Sequence, residues 1–80
     1  MKTIHKYEVF DALGLMLPCD AKVLTVQMQG DTPVMWVELT PQFGVMQRQF
    51  RVYGTGQQIP DDAEYLATWQ QPPFVWHLYE

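Results

Sequence analysis

Three carboxylates stand close together at Asp61, Asp62 and Glu64, directly after Pro60. Grouped carboxylates can do acid–base work or hold a divalent cation. Adjacent acids in a loop opened by proline also make a solvated cap, and one turn of helix over 61–64 would suit them, since acids favour a helix N-terminus. Two histidines, His5 and His77, lie near opposite ends of the chain and meet only if the first and last strands pair. A zinc site needs three or four ligands of the right kind, and these two with a distant Cys19 do not have that spacing. Cys19 would need a base and an orienting group to act as a nucleophile; its neighbours Pro18 and Asp20 signal a turn instead. We therefore expect no catalytic, cofactor-binding or metal-binding residue, and no cofactor.

A second candidate is Gly54-Thr55-Gly56, which follows the strand-like run ending at Tyr53. A phosphate loop needs GxxxxGK[ST], and a dinucleotide loop needs GxGxxG opening a helix. Gln57-Gln58-Ile59-Pro60 supplies no lysine, no third glycine and no helix N-terminus. The glycines are then conformational, letting the chain turn sharply. Ile59 is expected to tuck back towards the core, with Pro60 stiffening the exit.

Of the aromatic residues, Trp36, Trp69, Trp76, Phe50, Phe74 and Tyr65 are expected mostly in the core. Tyr7, Tyr53 and Tyr79 lie beside polar positions. Exposed together, they would form a partner-binding patch, because tyrosine is enriched at binding hot spots. The residues expected to contact a partner are Tyr53, Asp61, Asp62 and Glu64.

Charge narrows the partner. The net charge is −4. Residues 1–51 balance Glu8, Asp11, Asp20, Asp31 and Glu38 against Lys2, Lys6, Lys22, Arg48 and Arg51, whereas residues 52–80 carry only acids. Nucleic-acid surfaces need clustered Lys and Arg, and base-stacking aromatics need a basic groove beside them. Direct nucleic-acid binding is not expected; the acidic third reads as a solvated surface, or would suit a basic protein partner.

These residues must be positioned by strands. Period-two patterns cover residues 2–10, 22–29, 34–40, 46–53, 65–70 and 74–80, separated by turn signals at 30–33 and 41–44. In 22–29, Leu24, Val26 and Met28 share one face; in 46–53, Met46, Arg48, Phe50 and Val52 do. Residues 10–17 are apolar, but Gly14 interrupts them and Pro18 ends them, so they read as a loop or short apolar bridge. The whole chain, 1–80, reads as a single all-β domain, a small antiparallel barrel or sandwich of about six strands. The last strand is too apolar to lie free. It is expected to pair centrally, to close the sheet against residues 2–10, or to pair with another copy in a homo-oligomer. One cysteine permits no internal disulfide, the N-terminal residues do not resemble a signal peptide, and no apolar run is long enough to span a bilayer. The expected location is cytoplasmic.

Three stretches together, MKTIHKY, FRVYGTGQQIP and PPFVWHLYE, resemble a family of small uncharacterised phage and prophage proteins. Its members open with MKTI-x-KY, carry FR-[IV]-[YF]-GTG-x-x-I centrally and end near FVWH. The chain departs from that pattern at Gln57-Gln58, where relatives often place a histidine after GTG. The resemblance implies a viral accessory protein in the host cytoplasm. By analogy with other small acidic phage proteins, it would be a non-enzymatic binding protein that inhibits a host defence protein, anti-CRISPR or other anti-defence in type, by occluding a surface. The alternatives are a self-assembling accessory or structural phage protein, and a sponge for a nucleotide signal, which would need basic groups around a pocket.

Overall fold

A computed structural model describes residues 1–80. The strands are β1 (Thr3–Glu8), β2 (Gly14–Pro18), β3 (Lys22–Gln29), β4 (Thr32–Leu39), β5 (Val45–Gln49), β6 (Arg51–Gly54), β7 (Tyr65–Gln71) and β8 (Phe74–Tyr79), with a single 3-10 turn at Val9–Asp11. They form three small antiparallel sheets, ordered β1-β4-β3, β2-β5 and β6-β8-β7. The fold is an all-β sandwich and not a closed barrel. No helix is long and apolar enough to cross a membrane.

The core forms where alternating positions of the sheets converge. β4 contributes Met35, Val37 and Leu39, β7 Ala67 and Trp69, β8 Leu78, and β2 Leu17, all buried in one cluster. The apolar last strand pairs centrally, between β6 and β7. It does not close against β1, which pairs with β4. His5 lies opposite Val37 and His77 opposite Tyr53 and Thr68, so the two histidines belong to different sheets.

Several expectations need correction. Residues 14–18 are a strand, because Leu15 and Leu17 alternate inward while Gly14 and Met16 face out; Pro18 is tolerated at the strand end, where it need not donate to the ladder. The run 46–53 is two strands. Phe50 is buried between them, and its N–H donates to the Leu13 carbonyl at 2.7 Å. That switch sends β5 to β2 and β6 to β8. In β3 the register skips at Leu24: Val23 opposes Val37 and Thr25 opposes Trp36. One extra residue reverses the alternation, so Val23 packs on the core while Leu24 is exposed. Phe74 and Tyr65 are exposed rather than core, and Trp36 and Trp76 are only half-buried. The turn expected over 61–64 is a single turn over 60–63, closed by the Ala63 N–H donating to the Pro60 carbonyl at 3.0 Å, and it does not continue through Glu64. Glu64 instead exchanges two backbone hydrogen bonds with Glu80, both 2.8 Å, which extends the β7–β8 ladder and holds Glu64 outstretched.

The turn after β2 is fixed by one side chain. Asp20 accepts the Thr40 N–H at 3.0 Å and its hydroxyl at 2.6 Å. The Thr40 hydroxyl and then its N–H, both bonded to the charged form, hold the Asp20 carboxyl below the usual carboxylate range. A lowered folded-state pKa stabilises the fold above the unfolded value of about 3.9, and the contribution is lost as pH falls through the folded value. Asp20→Asn should therefore melt lower at neutral pH and lose less of its melting temperature on acidification below about pH 4, as followed by circular dichroism. Leu78 is fully buried, and Leu78→Ala should lower the unfolding free energy by about 2–5 kcal/mol. Urea denaturation measures this, with the exposed Met16→Ala staying within about 0.5 kcal/mol of the parent.

Candidate functional site

The outer face of the β6-β8-β7 sheet gathers the chain's most interactive side chains. Strand register sets them in two rows. Arg51, Tyr79 and Tyr65 lie opposite one another in the first; Tyr53, His77 and Thr68 do so in the second. Val52, Leu78 and Ala67 occupy the intervening row and point into the core. Tyr65 reaches the outer face through an irregularity in β7. Tyr65 opposes Tyr79 and Ala67 opposes Leu78, so Leu66 is the extra residue. Strict alternation from the buried Ala67 and Trp69 would have turned Tyr65 inward. The extra residue leaves it exposed, and no residue-type signal in Tyr65-Leu66-Ala67 announces it.

The rings are mutually ordered. Tyr79 meets Tyr53 edge-on at 5.7 Å between centroids and Tyr65 at 5.5 Å, the arrangement that aromatic quadrupoles favour. A hydrogen-bonded chain runs beside them. Tyr65 Oη lies 2.8 Å from Thr68 Oγ1, Thr68 Oγ1 2.9 Å from His77 Nδ1, and His77 Nε2 2.9 Å from Thr55 Oγ1. His77, Thr68 and Tyr65 were not among the expected contact residues, yet they sit at the centre of the face. Tyr7 is absent from it, on β1 across the sandwich.

The loop after β6 frames the same face. Gly54 lies under the Trp76 ring, where an added Cβ would come within 3.3 Å of Cζ3. Gly56 has φ of +93°, a conformation that side chains rarely adopt. The Gly54 N–H donates to Gln57 Oε1 at 2.6 Å, and the Gln57 N–H returns to the Gly54 carbonyl at 3.1 Å. The glycines thus make a turn packed on Trp76, and the Gly54 amide is already bonded within it.

Pro60, Asp62 and Ala63 then close a hollow of about 210 Å³ against Tyr53, Tyr79, Arg51, Gln49 and Glu80. Of the residues expected to contact a partner, Tyr53 and Asp62 meet here. Asp61 is exposed beside them, and Glu64 faces a separate hollow with Arg48 and Tyr65. None of Asp61, Asp62 and Glu64 forms an ion pair; the two pairs present are Lys2–Glu38 and Arg48–Glu80.

Arg48 anchors the face from behind. Its Nε and Nη2 donate to the two Glu80 oxygens, Nη2 at 2.7 Å, and its Nη1 donates to the Ala21 carbonyl at 2.9 Å. Hydrogen bonding to Glu80 raises the guanidinium's pKa further, against the opposing effect of its burial.

A model of a family described as a domain of unknown function matches residues 1–80. The chain belongs to this family, DUF7352. The expectation of an uncharacterised family is met at that level. No curated protein and no solved structure matches the chain.

Removing Arg48 would leave the Glu80 carboxylate and the Ala21 carbonyl short of donors. Arg48→Ala should cost roughly 1.5–3 kcal/mol, the range for hydrogen bonds to charged groups, with faster amide exchange at Glu64 and Glu80. Urea titration and hydrogen exchange check both.

Proposed function

We propose that this domain is a non-enzymatic binding protein that works by covering the surface of a partner protein with the outer face of β6-β8-β7. The observation that carries the reading is the ordered cluster of Tyr53, Tyr79 and Tyr65 beside the unpaired Asp61, Asp62 and Glu64. Tyrosine brings large contact area with few rotatable bonds, and rings already held in place lose little freedom on binding. In the phage setting that the MKTIHKY, FRVYGTGQQIP and FVWH motifs suggest, the partner is a host protein in the cytoplasm. An antiviral effector, CRISPR-type or other, fits that setting, with inhibition by occlusion. The nucleotide-sponge reading has less support, because Arg51 is the one cation lining the tyrosine hollow and shares it with two carboxylates, Asp62 and Glu80.

Self-assembly has one observation in its favour. The outer face of the β2-β5 ribbon presents Met16, Val45 and three uncharged neighbours, Gly14, Gln47 and Gln49, with Phe43 exposed nearby. A two-stranded ribbon is weak alone, and an uncharged face can meet its own copy without like-charge repulsion. Sedimentation separates the readings: a concentration-independent monomer opposes self-assembly, and a salt-insensitive oligomer lost in Met16→Lys favours it.

The direct test is affinity capture from infected host cells. The parent should capture a protein that Tyr53→Ala/Tyr65→Ala/Tyr79→Ala, shown folded by circular dichroism, does not. Capture of the same protein by the triple variant would overturn the role of this face.

A further inference from the structure

We infer that the hollow lined by Tyr53, Tyr79 and Asp62 receives an arginine side chain of the partner, with Asp62 as its counter-ion. This rests on the binding-face reading above and adds what the face recognises. The hollow is large enough for one long side chain and combines two aromatic rings with carboxylates. A guanidinium suits both features. It is planar, stacks on tyrosine, is weakly hydrated and offers a fork of donors to a carboxylate. Of the two carboxylates in the hollow, Glu80 already has both oxygens bonded to Arg48. Asp62 is exposed and unpaired, so it is the free one. Asp61, exposed beside it, adds negative potential and forms no ion pair. An anionic side chain would meet Asp62 and Glu80 instead.

Arg51 gives the inference its sharpest consequence. It lines the same hollow with no carboxylate partner within 4.0 Å, and its charge opposes an incoming cation. Removing it should strengthen the site, whereas removing Asp62 should weaken it. A hollow built for an anion would respond in the opposite sense to both changes.

The probe is Nα-acetyl-arginine amide, titrated into the isotope-labelled full chain by NMR, with the lysine and glutamate analogues alongside. The arginine probe should shift the amides of Tyr53, Asp62, Ala63 and Tyr79, and bind more tightly than the lysine analogue. Asp62→Asn should weaken it roughly two- to five-fold, the range of an exposed ion pair, and Arg51→Ala should tighten it. Shifts scattered over the surface, equal shifts from the glutamate analogue, no change in Asp62→Asn, or weaker binding in Arg51→Ala would each overturn the inference. The two readings fail separately. If the tyrosine variant loses the partner but the arginine probe does not bind, the face stands and the arginine pocket falls. If the tyrosine variant keeps the partner, the face itself falls.

Discussion

The Arg48 guanidinium holds three separate segments of the chain in one place. Two of its donors go to Glu80 beyond β8, a third goes to Ala21 in the turn before β3, and its carbon lies 5.6 Å from the centre of the Phe50 ring. A half-buried charge is costly unless its donors are satisfied, and here each of the three guanidinium nitrogens donates one hydrogen bond to an acceptor. The β2-β5 ribbon is two-stranded and would be marginal by itself. Arg48, projecting from β5, ties that ribbon to the end of the three-stranded sheet. Through Glu80 the tie continues to Glu64, whose backbone pairs with it. From Glu64 the chain runs back through Ala63 to Asp62 at the hollow. The clamp therefore positions the acidic loop against Tyr53 and Tyr79, although Arg48 points the other way.

Much of the architecture follows from period-two alternation that is visible in the residues. β3, β4, β7 and β8 lie close to where Lys22–Gln29, Val34–Thr40, Tyr65–Gln70 and Phe74–Glu80 alternate. What alternation hid has a common cause: single residues that break it. Gly14 and Pro18 disguise β2. Phe50 lets one alternating run serve two sheets, since Arg48, Phe50 and Val52 all turn inward while the ladder partner changes. Leu24 and Leu66 each add a residue to one strand without a matching one opposite. Leucine is a good strand residue, so neither insertion is marked by type. A bulge depends on pairing partners distant in sequence, and those are not written locally.

The candidate face was legible in the same uneven way. Tyr53 and Asp62 were recognisable because a tyrosine at a strand end and an acid after proline are both surface signals. Tyr65 was not, because its exposure depends on the extra Leu66. At His77, residue type raises a metal site and spacing argues against one, but neither identifies its neighbours. Register gave it Thr68 across one ladder and placed Thr55 beyond the other. Two hydroxyls at its two nitrogens make it the centre of a hydrogen-bonded brace.

That brace explains why the core and the face act as one unit. Along β8, Trp76 and Leu78 pack inward while His77 and Tyr79 face out. Gly54 lets the Trp76 ring pack close over the backbone, since an added Cβ would come within 3.3 Å of it and push the ring aside. The turn that Gly54 begins carries Thr55 onto His77, and Gly56 completes it with a backbone conformation suited to glycine. The same ladder sets Tyr53 beside His77 and Tyr79. An aromatic contact on the inner side thus determines where the loop leaves the sheet, and the loop determines where Asp62 meets the tyrosines. A substitution that loosens Trp76 acts on the hollow without touching it, and a face set by packing in this way can hold its rings ready before a partner arrives.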